Sequence, residues 1–523
     1  MFTKTSNKNQ VIIFFIIISL GFIIPDSSLK FKFDLIVSND EIINVAHDFS
    51  DQKKVSANFM VAAESIDDIK INIIINSKKM KSIIKPFSKT DYIKKDSYEF
   101  ITDDGFRLNY HISKKMLMRD IGVFQVSVLP YFKDLDKNQI FLYNEFEVEV
   151  DSTYSYASSS KPNSAEFNNL LSSLLTNYSF RQNESNINPS ILYICGGNSI
   201  NQASFEELIL WRKQLGYDVN TVSTSELNFD RDSIKNYIQN AYQDWPNPPE
   251  YVVLVGDTDG SYQIPFFSST GGSSDYDYSL LEGDDLLPEI IIGRISAQGQ
   301  SDLANIINKT LAYEKASFLN FTSSDWYDRA ALVADPSSSG NSTIITNEYI
   351  ENLLQIGQFG NIQTNYGAGN YSSWMQNELS QGLLYFNYRG YIGTSGFGST
   401  NLQNANNGYM TPFATFITCS TGDFNYTSLS EDFVRVGSAT NPKGAVAAVG
   451  TATSSTHTAP NNIVQMGIYS GIFTNNIQSA GGALVNGKMS LYNSYNSSAT
   501  DMINNFSRWN NLIGDPSLKL WTS

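Results

Sequence analysis

A cysteine that closes an apolar run is the side chain in this sequence best placed for nucleophilic chemistry. Cys419 ends the stretch FATFITC (413–419) and is followed by the turn STGDF. In open α/β sheets, reactive groups lie in the crevice beyond the carboxyl ends of the strands. A thiol there could attack a carbonyl carbon, whereas a free cysteine packed in the core would be inert. Position alone leaves both interpretations open.

Catalysis by a cysteine also needs a partner that takes and returns a proton. A free thiol has a pKa of about 8.5, and cysteine hydrolases pair it with an imidazolium that later protonates the leaving group. His47 and His111 have no neighbouring cluster of ligand residues, and we interpret them as surface or strand histidines. His457 follows the apolar run 444–450, and if that run neighbours the cysteine strand, its loop shares one crevice with Cys419. The alternative is a loop histidine that bonds to nearby Ser and Thr residues.

From about residue 190, apolar runs alternate with helical patterns. The apolar runs span 191–195, 218–222, 251–257, 289–295, 329–335, 383–388, 413–419 and 444–450. Such alternation is typical of a parallel sheet with helices on both faces. We therefore predict a doubly wound, mostly parallel α/β domain over 190–523, built of two halves at 190–318 and 319–523. The stretch 511–521 predicts a loop that leads to a last short strand.

The preceding residues have a different character. Residues 27–152 are Lys-rich and alternate apolar with polar residues, for example in 122–132 and 141–151. Period-two alternation is typical of half-buried antiparallel strands, so we predict a β-rich N-terminal domain. Residues 153–189 are rich in Ser and Asn, which predicts a linker or mobile junction.

Residues 1–26 predict export. Lys4 and Lys8 precede a run of 14 uncharged, mostly apolar residues (11–24), which is the length of a signal peptide and too short for a spanning helix. An A-x-A cleavage site is absent, so an uncleaved anchor, the one predicted membrane contact, is the alternative. We expect an extracellular, cell-surface or periplasmic protein. With only two cysteines, Cys195 and Cys419, we favour two free thiols, one structural and one exposed.

The charge balance argues against a nucleic-acid partner. The chain has 36 Lys and Arg against 52 Asp and Glu, for a formal net charge of −16. Neutralising phosphates requires a surplus of basic residues, which this sequence lacks. No motif for a redox or organic cofactor is evident.

Five motifs then occur in one order. They are YVVLVGD (251–257), the acidic turn 273–294, TCSTGDF (418–424), KGAVAAVGTATS (443–454) and IGDPSL (513–518). Together they resemble the gingipain-type (C25) family of cysteine peptidases, which have a caspase-like fold, over residues 190–521. The resemblance implies an endopeptidase acting on protein or peptide substrates, with Cys419 as nucleophile and its own backbone N–H stabilising the oxyanion. The β-rich domain would be propeptide-like and a candidate inhibitor.

The sequence departs from the family at its catalytic histidine. The family pattern Y-x-G-H-G is matched by Tyr388-Arg389-Gly390-Tyr391-Ile392, so Tyr391 stands at the family His position and Ile392 at the following Gly. Tyrosine, with a pKa of about 10, is a poor base and acid here. Tyr391 could act as a plug in the crevice or as a hydrogen-bonding replacement.

Three functions follow from this departure. The first is an active peptidase with His457 as the relocated base. The second is an inactive pseudopeptidase that serves as a surface binding or assembly module, since fold does not fix function. A third, a surface-binding adhesin, rests only on the many Tyr, Asn and Ser residues.

The resemblance also assigns a substrate-binding residue. Asp275 matches the acidic position that, in arginine-cleaving members, lies at the base of the substrate pocket, where a carboxylate would bind a cationic side chain. A solvated acidic turn is the alternative, because Asp277, Glu282, Asp284 and Asp285 lie in the same loop. These carboxylates are also a candidate Ca²⁺ site, although their spacing does not match an EF-hand.

Overall fold

A computed structural model provides the structure of the protein. It describes residues 28–34, 57–75, 80–84, 97–101, 107–129, 131–134, 139–143, 145–152, 161–178, 187–316, 326–495 and 500–522. The predicted signal peptide and His47 lie outside these residues. None of the helices in these ranges has the length and hydropathy needed to cross a membrane.

The N-terminal region is made of antiparallel strands, as its alternating pattern predicted. The strands are β1 Ser28–Asp34, β2 Ala57–Ala62, β3 Ile69–Ile75, β4 Met80–Ile84, β5 Ser97–Ile101, β6 Arg107–Ile112, β7 Met116–Met118, β8 Ile121–Leu129, β9 Tyr131–Asp134, β10 Gln139–Tyr143 and β11 Glu145–Ser152. They form sheets of order β1-β11-β3, β4-β10-β9 and β2-β8-β6-β5, with β7 paired to β8.

A ten-stranded sheet forms the centre of the C-terminal region. Its strands are β12 Ser190–Cys195, β13 Asp218–Ser223, β14 Tyr251–Val255, β17 Ile291–Ile295, β18 Arg329–Ala334, β19 Asn361–Tyr366, β20 Tyr385–Arg389, β21 Phe413–Phe416, β24 Ala447–Thr451 and β25 Asn510–Ile513. Two further hairpins consist of β15 Phe267–Ser269 with β16 Gly272–Ser274, and β22 Gly437–Ser438 with β23 Asn441–Pro442.

The strand order is β13-β12-β14-β17-β25-β24-β21-β20-β18-β19. Neighbours pair in parallel within the first four strands and within the last five in this order. Strand β25 runs antiparallel to β24 and meets β17 at the single pair Arg294 and Ile513. The predicted mostly parallel, caspase-like α/β sheet is confirmed. The last strand, however, precedes the IGDPSL turn, so the prediction that it follows this loop was wrong.

Helices cover the sheet. They are Ala165–Leu174, Ala203–Gln214, Arg231–Asp244, Gln300–Glu314, Pro336–Ser339, Ser342–Ile356, Tyr371–Ser380, Ser399–Asn404, Leu429–Arg435, Thr458–Phe473, Ala480–Ser494 and Thr500–Trp509. The central strands β12, β14, β20, β21 and β24 are buried along their whole length, which is why they read as continuous apolar runs. The helix Ala165–Leu174 lies in the segment predicted as a linker, and Phe167 and Leu171 on it are part of the main core.

The N-terminal region docks on the main domain through a buried arginine. Arg119, on the turn between β7 and β8, is fully buried. Its guanidinium donates to the carbonyl oxygens of Pro249 and Glu289, both at 3.0 Å, and lies 4.6 Å from the centre of the Phe167 ring. Pro249 lies two residues before the start of β14, and Glu289 lies two residues before the start of β17. This docking contact therefore lies at the amino ends of those strands.

The opposite ends of the same strands meet the segment that follows Cys419. Thr258, after β14, donates from its hydroxyl to the carbonyl oxygen of Phe424 at 2.7 Å. Ser296, after β17, donates to the carboxylate of Glu431 at 2.6 Å. Residues that follow β14 and β17 thus contact the segment after Cys419.

Candidate active site

Cys419 lies just beyond the carboxyl end of β21, as predicted. Its Sγ is 2.9 Å from the hydroxyl oxygen of Thr456, in the loop after β24. Both cysteines are free thiols, which confirms that expectation. Cys419 is only 3% exposed, however, so the expectation of an exposed thiol was wrong. The reason is that the loops after β20 and β24 close over the cysteine from both sides.

The backbone of Cys419 is bonded to the segment that carries the altered family motif. Its carbonyl oxygen accepts from the N–H of Gly393 at 2.9 Å, and its own N–H donates to the carbonyl oxygen of Tyr391 at 3.4 Å. The second distance is long for an N–H···O bond. The N–H expected to stabilise an oxyanion is therefore held only weakly by the protein.

The turn after the cysteine is sharp. Ser420 has a φ of +61°, a left-handed conformation that is uncommon for residues other than glycine. Its N–H donates to the carbonyl oxygen of Thr453 at 2.9 Å. This bond fixes the cysteine turn to the same loop, 452–457, that carries Thr456.

Tyr391 does not fill the crevice. Its side chain is 57% exposed, and that of the following Ile392 is 53% exposed. A plug in the volume of the missing imidazole would be buried, so the plug interpretation was wrong. Tyr388, three residues earlier, is buried instead, with its hydroxyl 2.7 Å from that of Ser395.

His457 directly follows Thr456, the residue that contacts the Cys419 sulfur. The residue is exposed, and it precedes the helix Thr458–Phe473, where its carbonyl oxygen accepts from the N–H of Asn461 at 3.4 Å. In the described part of the chain, the hydrogen-bonding partner of the Cys419 sulfur is Thr456 and not an imidazole. The structure thus places His457 one residue from the sulfur's partner. A Cys419–His457 pair stays a prediction.

Two residues beside the sulfur were missed by the sequence reasoning. Thr456 contacts the sulfur and accepts a hydrogen bond from Asn461 Nδ2 at 3.1 Å. Arg389, within the altered motif, is fully buried, and its Nη1 donates to the carbonyl oxygen of Ile417. An arginine at the end of a buried strand was the available signal, since charged residues are rarely fully buried without a reason.

Asp275 is buried under the cysteine turn. Its two carboxylate oxygens bind Arg294, at 2.8 Å from Nε and 2.7 Å from Nη2. The Arg294 guanidinium in turn lies 5.0 Å from the centre of the Phe424 ring, which is in that turn. The structure therefore brings Asp275 close to the site, but with its carboxylate paired inside the protein.

Three other acidic residues of this loop have separate partners. Asp277 binds Arg508, Glu282 accepts from the N–H of Asp120 at 2.8 Å, and Asp285 accepts from the N–H of Leu117 at 2.8 Å. The described residues contain no group of three or more His, Cys, Asp or Glu arranged to hold a metal ion. Two of these carboxylates instead contact the N-terminal region.

Glu431 supports the helix that follows the cysteine turn. It forms a capping box with Ser428, at the start of Leu429–Arg435. Its other oxygen binds Arg435 at 2.7 Å, and Arg435 also binds Asp257 at 2.7 Å. Burial raises the pKa of Glu431 to about 7. The cluster ties the cysteine turn to the end of β14.

A polar cleft of about 400 Å³ adjoins the segment after Tyr391. Its lining includes Tyr371, Gln376, Ser395 and Asn401. Ser395 is two residues from Gly393, which bonds the Cys419 backbone. The cleft therefore adjoins the segment that bonds the Cys419 backbone and offers neutral hydrogen-bonding groups.

Comparison with known proteins agrees with this geometry. The sequence profile of peptidase family C25 matches residues 184–521. Gingipain R2 of Porphyromonas gingivalis is 27% identical over 339 residues, which cover 61% of this chain and 45% of that protein. Lys-gingipain of the same organism is 26% identical over 237 residues, 43% of this chain and 14% of that protein. The chain thus spans less than half the length of these curated relatives.

Solved structures show the same fold. The crystal structure of the Arg-specific cysteine proteinase gingipain R has a TM-score of 0.57 and 25% identity, covering 66% of this chain and 81% of that one. A complex of the pro- and mature domains of RgpB from P. gingivalis has a TM-score of 0.55 and 25% identity, covering 64% and 80%. The profile match, the parallel sheet and the cysteine at the end of β21 lead to one conclusion: this chain belongs to peptidase family C25, the gingipain-type cysteine peptidases.

Proposed function

We propose that this protein is an exported cysteine endopeptidase in which Cys419 is the nucleophile and His457 is the base and acid. The observation that supports this most directly is the 2.9 Å contact between Cys419 Sγ and Thr456 Oγ1, because Thr456 directly precedes His457. The imidazole is exposed, and we propose that a rearrangement of the loop 453–457 brings it to the sulfur. Catalytic hydrogen bonds are often loose before substrate binds.

The proposed reaction proceeds through an acyl-enzyme. The Cys419 proton passes to His457, and the sulfur attacks the carbonyl carbon of the scissile peptide bond. The N–H of Cys419 leaves its long bond to Tyr391 and donates to the oxyanion. The imidazolium then protonates the leaving amine, and the C–N bond breaks. A water molecule, deprotonated by His457, hydrolyses the thioester and restores the thiol.

The substrate is proposed to be a peptide or protein segment that crosses the cleft beside Ser395. Selection of a cationic side chain by Asp275 requires a free carboxylate, whereas both of its oxygens bind Arg294. We therefore expect Asp275 to act by holding Arg294 and Phe424 beneath the cysteine turn. The N-terminal region is proposed to remain docked through Arg119, and a role for it as an inhibitor stays a prediction.

One observation favours a second function. Tyr391 stands at the family His position with its side chain 57% exposed, and the sulfur is bonded to a hydroxyl. A pseudopeptidase that uses the fold as a surface binding or assembly module would have these features.

Hydrolysis of a fluorogenic peptide library by the full-length protein separates the two functions. We expect cleavage by the wild type and by Cys195→Ser, and none by Cys419→Ala. Library members with arginine, lysine or neutral residues before the scissile bond will give the substrate preference. Absence of cleavage by folded wild type would contradict the peptidase and favour the binding module, whereas cleavage that persists in Cys419→Ala would exclude Cys419 as the nucleophile.

A further inference from the structure

Arg389 is a buried cation beside the cysteine. Its side chain is fully buried, and its guanidinium donates to the amide oxygen of Asn462 at 2.8 Å, to the carbonyl oxygen of Thr458 at 3.3 Å, and to that of Ile417. All three acceptors are neutral. Within the described ranges, no carboxylate lies within ion-pair distance of this guanidinium. Buried Arg212 and Arg294, by contrast, each bind a carboxylate.

A buried charge without a counter-charge is costly, so Arg389 needs an explanation. Burial lowers the pKa of Arg389 to about 10, and the charges of Tyr388 and Cys419 act in the opposite direction. At that pKa the guanidinium is still protonated at neutral pH. The acidic groups in its surroundings are the phenol of Tyr388 and the thiol of Cys419, and the thiol is the one with the lower ordinary pKa.

The contacts of Arg389 join the two segments that form the sulfur site. Ile417 is two residues before Cys419, and Thr458 is two residues after Thr456. The guanidinium thus bridges the cysteine strand and the loop whose hydroxyl contacts the sulfur. Both segments are fixed by the one side chain.

The hydroxyl of Thr456 can donate to the sulfur. It accepts a hydrogen bond from Asn461 Nδ2 at 3.1 Å, which leaves its own hydrogen for the sulfur at 2.9 Å. A thiolate has no hydrogen of its own and can only accept. The helix Thr458–Phe473, of 16 residues, begins two residues later, and the amino end of a helix favours a nearby negative charge.

We propose that Arg389 and Thr456 hold Cys419 as a thiolate, Arg389 as its buried counter-charge and Thr456 as its hydrogen-bond donor, in place of the family's imidazolium. Both are positioning residues, since they act on the nucleophile and not on the substrate. The proton released by Cys419 goes to His457 or to water. The proposal rests on the proposed function only in taking Cys419 as the nucleophile.

The titratable groups that face this site are few. Tyr388 comes from β20, with its pKa raised to about 12 by burial, and His457 comes from the loop before the helix. The carboxylate of Asp335, after β18, accepts from the hydroxyl of Ser395, and the Asp335 N–H donates to the carbonyl oxygen of Arg389 at 2.8 Å. His457 is therefore the group to remove before an effect is assigned to Arg389.

The test is the rate of iodoacetamide alkylation of the folded full-length chain as a function of pH. It uses a Cys195→Ser, His457→Ala background, so that one thiol is measured without the imidazole. The variants are Arg389→Met, Arg389→Lys, Thr456→Val and Thr456→Ser, with folding checked by circular dichroism. The absorbance of the thiolate in the ultraviolet is followed in parallel.

We expect the midpoint of the background protein to lie below the value of about 8.5 for a free thiol. Arg389→Met should raise it by about 1–2 pH units, while Arg389→Lys, which keeps the charge, stays close to the background. Thr456→Val should raise the midpoint, while Thr456→Ser, which keeps the hydroxyl, should leave it close to that of the background protein. This pair of variants tests the proposal even if Arg389→Met does not fold. A background midpoint at or above that of a free thiol, or equal midpoints in Thr456→Val and Thr456→Ser, would overturn the proposal.

This outcome is independent of the proposed function. A low midpoint that depends on Arg389 and Thr456, in a protein that cleaves no peptide, would retain the thiolate site and refute the peptidase. Peptide cleavage by a protein whose alkylation midpoint does not change on substitution of Arg389 or Thr456 would retain the peptidase and refute the thiolate site.

Discussion

The sulfur of Cys419 lies 2.9 Å from the hydroxyl oxygen of Thr456, the residue directly before His457. This contact joins the ends of the neighbouring parallel strands β21 and β24. From the sequence resemblance we predict the family histidine on the other side of the cysteine, where this chain has the exposed Tyr391. The hydrogen-bonding partner of the sulfur, Thr456, therefore lies on the β24 side of the cysteine.

The two thiols should differ sharply in reactivity. Cys195 is fully buried within β12, and burial raises the pKa of its thiol. We expect iodoacetamide to modify Cys419 alone in the native protein and both cysteines after unfolding, as measured by peptide mapping with mass spectrometry. Modification of Cys195 at a comparable rate in the native protein would contradict this assignment.

Replacing Arg119 should loosen the N-terminal region. Arg119→Ala removes a buried guanidinium bonded to Pro249 and Glu289 and leaves their carbonyl oxygens without this donor. We expect a loss of about 2–3 kcal/mol in the free energy of unfolding, measured by urea denaturation, and faster proteolysis in residues 153–189. The exposed Lys213→Ala should change the stability by less than about 0.5 kcal/mol. Equal behaviour of the two variants would refute the docking role.

Asp275→Asn should lower stability. The substitution leaves Arg294 buried without its counter-charge, and breaking a buried ion pair costs about 3–5 kcal/mol. Exposed Asp244→Asn is the matched control, with an expected change below about 0.5 kcal/mol. Denaturation curves and steady-state kinetics should be measured together. A variant of unchanged stability that loses only its preference for cationic substrates would show that Asp275 binds substrate instead.

Glu250 should make stability depend on pH. It is fully buried, accepts from Ser164 at the start of the helix Ala165–Leu174, and burial raises its pKa from 4.5 to about 7. The folded protein therefore holds this proton more tightly than the unfolded chain. Its contribution to stability is complete below pH 4.5 and is lost as the pH rises through about 7.

Glu250→Gln cannot ionise but keeps an oxygen that can accept from Ser164. We expect the variant to gain stability relative to wild type as the pH is raised from about 5 to 8, with urea denaturation as the measurement. A difference between the two proteins that stays constant over this range would show that Glu250 does not titrate as described.

Much of the fold could be predicted from the sequence because its central strands are buried on both faces. Runs such as YVVLV and FATF are continuous and apolar for this reason, and the place of Cys419 after β21 follows from them. Strand β19 was missed because it lies at the edge of the sheet and its sequence, NIQTNY, is polar and largely half-buried. An edge strand such as β19 is less buried than the central strands, so its sequence lacks the continuous apolar run by which those strands were predicted.

The polar surroundings of the cysteine could not be predicted in the same way. Arg389 contacts Ile417 and Thr458, which are 28 and 69 residues away in sequence. Spacing along the chain carries no signal for such contacts, which depend on the order of strands in the sheet. The ion pair of Asp275 with Arg294 could not be predicted either, because in the sequence each residue alone has the pattern of a charge exposed to solvent.

The most direct test of the account is the kcat/KM for peptide hydrolysis of His457→Asn beside Tyr391→Phe, using the best substrate from the library. If His457 is the base and acid for Cys419, its replacement should lower kcat/KM by at least about 100-fold, while Tyr391→Phe stays near wild type. Activity that survives in His457→Asn, or that is lost in Tyr391→Phe alone, would contradict the assignment of His457.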